Sequence, residues 1–192
     1  MEYQKKELGS YNLHMIQTDK FKTITVRIVF RKPIIKEEIT IRNFLSDMLM
    51  LSSKDYPTKR ALAIKAQDLY AASIGATNYR LGNYINTNFY LTILNEKYTE
   101  KGMLEKSIQF FHDMLFKPNV TNQAFDEQSF KIVKTQTELA IQSMKEDSAQ
   151  YSVIRLLENM EPDSPLSYRG YGYLEDIENI TPSTLYDFYK DM

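Results

Sequence analysis

The chain has no cysteine and only two histidines, and both shortages narrow what it can do. Without cysteine there is no disulfide, no thiol nucleophile and no thiolate metal site. His14 and His112 stand almost a hundred residues apart. A zinc site using both would need a carboxylate and a fold that brings them together. An excess of one charge is also missing. Lys and Arg number 24 against 25 Asp and Glu, a net charge of -1, whereas a nucleic-acid binder carries a basic excess on one face. No apolar run approaches the length of a membrane span. The N-terminus, Met1 to Leu8, is charged and lacks the apolar core of a secretory signal. These absences point to a cytoplasmic protein with neither nucleic acid nor membrane as partner. What is present, 43% apolar and 26% charged residues over 192 positions, suits one substantial globular domain.

Two strands are predicted first, Tyr11 to Gln17 and Phe21 to Arg31. In the second, Ile24, Val26, Ile28 and Phe30 alternate with Thr23, Thr25, Arg27 and Val29, a period of two. Thr18-Asp19-Lys20 would connect them as a hairpin, and Pro33 closes the second strand. From Ile39 to Leu51 the period becomes helical, with Ile41, Phe44, Leu45, Met48 and Leu49 on one face. Pro57 breaks that helix from the next, which runs from Lys59 to Ser73 with Thr58 as N-cap and Gly75 at its C-cap. Thr77 to Leu81 and Tyr84 to Leu94 read as strands paired about Gly82-Asn83. Three helices follow, Gly102 to Phe116, Asn122 to Met144 and Ser148 to Met160. Leu104, Ile108, Phe111 and Leu115 line the core face of the first. A last helix starts at Thr181-Pro182-Ser183, with Pro182 at N1 and Leu185, Phe188 and Tyr189 as its apolar side. The order is that of an α+β domain, with helices packed on one face of a largely antiparallel sheet.

Particular residues sit in that order. The first helix carries Phe44-Leu45-Ser46-Asp47-Met48-Leu49 and is followed by Tyr56-Pro57-Thr58-Lys59-Arg60. Then come Leu69-Tyr70-Ala71-Ala72-Ser73-Ile74-Gly75-Ala76 and the strand Asn88-Phe89-Tyr90-Leu91-Thr92-Ile93. Leu115-Phe116-Lys117-Pro118, Phe125 to Ile141, and Gly172-Tyr173 with Ile180-Thr181 complete the series. Over nearly its whole length the chain thus resembles the pitrilysin/insulinase family of inverzincin peptidases, which includes mitochondrial processing peptidase. That family's first helix reads H-x-x-E-H. Its two imidazoles hold zinc and its carboxylate takes a proton from the bound water.

The resemblance places Asn43, Ser46 and Asp47 at the three signature positions. It places Val133 where a later helix of the family supplies a Glu to the metal. No catalytic residue and no zinc are therefore expected. His112-Asp113-Met114-Leu115-Phe116, with Gln109 ahead of it, imitates part of the signature but follows the paired strands, where the family has a packing helix. Asn43, Ser46 and Asp47 could instead line a weak oxygen-ligand cation site. Family enzymes hold an extended substrate by adding it to a sheet edge. That makes the strand Tyr84 to Leu94 a candidate, with Tyr84, Asn86, Asn88, Tyr90 and the loop residue Tyr171 as peptide contacts.

What the resemblance implies is a non-catalytic zinc-peptidase homologue, a single peptidase-like N-terminal domain over residues 1–192 and a portion of a longer chain. It would act as the partner subunit of an intact homologue, as in bacterial heterodimeric pairs, by self-association, or as a peptide-holding module. The alternatives are a hydrolase with a non-standard site and a purely structural subunit.

Overall fold

Residues 1–162 and 164–192 are described by the structure, a computed structural model. The N-terminal segment forms its own antiparallel ladder, β1 (Glu2–Glu7) against β2 (Asn12–Gln17), with Tyr3 opposite Ile16. β1 is polar on both faces, so no alternation announced it. The expected hairpin between the second strand and its successor does not form. β3 (Thr23–Pro33) pairs instead with β5, far along the chain. Its even-numbered residues from Ile24 to Lys32 are half-buried and its odd-numbered ones exposed, so the alternation was right where the partner was not.

α1 (Ile39–Leu51) and α2 (Lys59–Asp68) follow. Thr58 caps α2 as expected, its hydroxyl accepting from the Ala61 N–H at 3.1 Å. The helix ends earlier than the sequence suggested. Tyr70 and Ala71 take left-handed φ angles of 58° and 59°, and the Ala72 N–H reaches back to the Ala66 carbonyl at 2.9 Å, a Schellman-type ending. Gly75 is therefore no helix cap. It lies in β4 (Ser73–Leu81), opposite Tyr90 of β5 (Tyr84–Leu94), and a Cβ there would overlap the Tyr90 ring. Gly82, at φ 60°, turns β4 into β5.

β3, β5 and β4 form one antiparallel sheet in that order, so β5 is its central strand. This overturns the expectation that Tyr84 to Leu94 offers an open edge. Both of its edges are occupied, and the free edge nearest α1 belongs to β4. Phe89, Leu91 and Ile93 face the helices from β5 and are fully buried.

α3 (Met103–Phe116) packs on that face. Its buried apolar residues are Phe110, Phe111, Met114 and Leu115, while Ile108 is 44% exposed. Three of the four expected core positions are thus at least half-buried and Ile108 is not. A short hairpin, β6 (Val120–Thr121) with β7 (Ala124–Phe125), replaces the expected first turn of the following helix, because Asn122 and Gln123 adopt positive φ. α4 (Glu127–Ser143) therefore starts at its Asp126 cap, and α5 (Ser148–Met160) follows. α6 (Leu174–Ile177) and α7 (Pro182–Asp191) end the described chain. Thr181 and Thr184 form a reciprocal capping box at the start of α7.

The core is the space between the sheet and these helices. Phe44, Leu45, Met48 and Leu49 of α1 enter it with Phe89, Phe110, Phe111, Phe130 and Val133. Among the described residues no helix is long and apolar enough to cross a membrane. The seam of α3 yields a direct test. Phe111→Ala is expected to cost about 3–5 kcal/mol in urea unfolding, and Ile108→Ala less than about 1 kcal/mol.

Candidate functional site: a polar network in place of a metal centre

α1 is the element on which the candidate site rests. One side of it buries the apolar stripe, and the turns facing β4 carry Asn43 and Ser46. β4 brings Asn78 against them. The Asn78 side-chain amide donates to Asn43 Oδ1 at 2.9 Å and to Ser46 Oγ at 3.0 Å. Ser46 in turn donates to the Arg42 carbonyl at 2.9 Å, and Asn43 Nδ2 donates to the Gly170 carbonyl at 2.8 Å. Two signature positions are thereby joined to a strand and to a loop by neutral hydrogen bonds. Asn78 was not singled out in the sequence. The one signal was an amide side chain, a poor strand former, in the middle of a strand.

The loop is held by α1 as well. Thr40 Oγ1 donates to Asp176 Oδ2 at 2.6 Å and accepts from the Tyr173 N–H at 3.0 Å. Gly172 sits at φ 92°, and a Cβ there would overlap the Thr40 side chain and approach its Cα to 2.8 Å. Only glycine fits so close an approach in that conformation. The Gly170–Gly172 turn is therefore a fixed wall of the groove beside α1.

These residues do not suit zinc. A zinc centre needs at least three protein ligands from imidazole, thiolate or carboxylate. Among the described residues no three His, Asp or Glu side chains cluster in a way that could hold a metal. Asn43 Oδ1 and Ser46 Oγ accept from Asn78, and neither an amide nor a hydroxyl is among the ligands zinc centres use. Val133 is 1% exposed and packed in the apolar core. Asp47 is the one carboxylate at a signature position. It is open to solvent on one side, and burial on the other raises its carboxyl above the usual aspartate range.

The expected peptide contacts do not form one surface. Tyr84, Asn86, Asn88 and Tyr90 alternate along β5 on the sheet face away from the helices. Tyr171 lies in the loop fastened to α1, on the other side of the sheet. Asn86 is fully buried and accepts from Arg31 Nε at 2.8 Å, and Asn88 donates to Thr77 Oγ1 at 3.1 Å. Tyr84 and Tyr171 are exposed, while Tyr90 is half-buried over Gly75. Of the two histidines, His14 accepts or donates to the Tyr3 hydroxyl at 2.8 Å on β2. His112 stacks on Phe116 at α3, 4.8 Å between ring centroids, remote from α1's polar side.

The raised Asp47 carboxyl has a consequence for stability. A group that binds its proton more tightly when folded favours the folded state at low pH, and that contribution is lost as pH rises through its elevated value. Asp47→Asn should therefore melt above the parent protein near pH 7. The difference should close as pH falls below about 4, the ordinary aspartate value. Melting curves of both proteins across that range check it.

No protein-family model matches the chain. It is 29% identical over 188 residues to a Bacillus subtilis (strain 168) protein named as probable inactive metalloprotease YmfF, covering 97% of this chain and 44% of the relative. A crystal structure of a conserved protein from Enterococcus faecalis V583 superposes with TM-score 0.93 at 25% identity, covering 98% of this chain and 45% of the other. A crystal structure of pitrilysin superposes with TM-score 0.67 at 18% identity, covering 98% of this chain and 19% of that enzyme. The chain thus spans less than half the length of these relatives. It has the fold of a pitrilysin-type protease domain and is a homologue of a probable inactive metalloprotease, with no H-x-x-E-H anywhere in its sequence.

Proposed function

We propose that this chain is the N-terminal, non-catalytic half of a zinc-peptidase homologue that works beside an intact homologue. The observation that carries this reading is the network of Asn43, Ser46 and Asn78. It engages Asn43 and Ser46 with neutral partners and leaves Asp47 as the one charged group at the signature positions, short of a ligand set for a metal. Relatives more than twice as long support the domain assignment, and the name of the Bacillus subtilis relative agrees with the lack of catalysis. The full-length protein is expected to purify with well under one zinc per chain and to leave a quenched fluorescent peptide intact. Mixed with an intact H-x-x-E-H homologue from the same genome, it should elute as a heterodimer. Stoichiometric zinc with cleavage abolished by Asp47→Ala would instead establish a hydrolase with a non-standard site.

Peptide holding belongs to the same proposal, moved from β5 to β4. Among the described residues nothing pairs with the outer edge of β4, and that edge borders the groove beside Asn43 and Gly170. An extended peptide added there would bind through its main chain, whatever its sequence. An extended peptide is expected to bind the full-length protein in fluorescence anisotropy. Its analogue methylated at alternate backbone nitrogens should lose that binding. Equal binding of both peptides would remove strand addition as the mode.

A further inference from the structure

α1 and α5 are both 13 residues long and are held in opposite ways. α1 has eight fully buried residues and α5 has none. Half-buried Ile154 and Leu157 are the apolar residues of α5 that turn inward, and they line a cavity of about 290 Å³ closed on its far side by Asn78, Ile85 and Leu166. A second cavity of about 190 Å³ lies towards α4, and Ile154 and Arg169 line both. On the outward side Val153, Leu156 and Met160 are all more than half exposed. α5 therefore spans two hollows rather than sitting on a packed surface. A helix with so little apolar burial has a low free energy of local opening.

Its attachment is polar. Glu158 uses both carboxylate oxygens, one with Arg169 Nε and one with Arg155 Nη1, each at 2.6 Å. The Arg169 pair, with Arg155 in support, holds the Glu158 carboxyl below the usual glutamate range. Arg169 belongs to the loop that α1 fixes through Gly170 and Tyr173, and its guanidinium stacks over the Tyr173 ring at 5.5 Å. One end of the pair thus sits on a rigid wall and the other on a lightly packed helix. The flanking turns, Lys145 to Asp147 and Glu161 to Pro162, contribute no fully buried residue.

We infer that α5 is a hinged strap over the 290 Å³ cavity, latched by Glu158 on Arg169. When it lifts, it bares a pocket walled by Ile85 and Leu166 beside the Asn78–Arg80 stretch of the β4 edge. The pocket's apolar side has room for an aliphatic side chain, while Asn78, Arg80 and Arg169 supply polar groups at its rim. The inference concerns the motion alone and holds whether or not β4 captures peptide.

Hydrogen exchange on the full-length protein, resolved by peptide, tests it. The interior amides of α5 are expected to exchange well before those of α1, α3 and α4. Glu158→Gln should speed α5 by about ten-fold, the factor that losing one charge-assisted pair implies, with α1 and the turn it holds unchanged. The inference is overturned if α5 is as protected as α4 in the parent protein. It is overturned equally if Glu158→Gln leaves α5 unchanged, or accelerates α1 and α5 together, which would mark global unfolding.

Discussion

The apolar stripe of α1, driven out of water between the sheet and the other helices, is the constraint from which the rest of the structure follows. Phe44, Leu45, Met48 and Leu49 are each at most 1% exposed. Burial of such side chains contributes about 1.5–3 kcal/mol each. With that stripe fixed, the helical period decides where every other α1 side chain goes. Thr40 meets Tyr173 and Asp176, Asn43 meets Asn78 and Gly170, and Ser46 meets Asn78. The groove is thus formed by packing, and its chemistry is chosen separately by the residues the period leaves over.

That separation explains how a peptidase-like fold accommodates an amide and a hydroxyl on this side of α1. A carboxylate and two imidazoles turned into this half-buried groove would need a cation or other partners to offset the cost of desolvating them. An amide and a hydroxyl need no cation, and Asn78 supplies two N–H donors to the two oxygens while its own Oδ1 stays buried without a partner. The network is electrically neutral and stands on hydrogen bonds of 2.8–3.0 Å. Restoring a metal would demand change on α1, removal of Val133 from the apolar core, and displacement of Asn78. Each change alone leaves an unpaired charge or a broken pair, so the alternatives are separated by several unfavourable steps. Asp47, open to water on one side, stands outside this network, and burial on its other side raises its carboxyl above the usual aspartate range.

What the sequence disclosed and what it hid divide along the range of the interactions involved. The bounds of α1, the Thr58 cap, the Pro182 start of α7 and the strand alternation of Ile24 to Phe30 rest on neighbours within a turn or two. All are legible without a partner. Strand pairing is not local. Thr23 finds Leu94 across the chain, and nothing in Thr18 to Lys22 forbade the hairpin that does not form. The core seam of α3 was misplaced at Ile108 because rotating a helix by one residue exchanges apolar positions of similar size. Asn78 stayed hidden for a related reason. An amide announces no chemistry until a second element places two acceptors before it. Gly75 was read as a helix end when the residue that dictates it, Tyr90, faces it across the sheet.

The correction of β5 from edge to centre changes the physics of the groove more than it changes the map. A central strand has no main-chain groups to offer, and at Asn86 and Asn88 the side chains are buried, each holding one hydrogen bond, to Arg31 and to Thr77. The β4 edge lies next to Asn43 and Ser46 and retains free main-chain groups there. Main-chain bonding is tolerant of sequence, so selectivity along such an edge falls to whatever hollows lie beside it. Here the neighbouring hollow is the cavity beneath α5, apolar at Ile85, Ile154 and Leu157 and polar at Asn78 and Arg169. The neutral network on α1 and the light packing of α5 shape different parts of one groove, the first fixing its wall and the second leaving its hollow lightly covered.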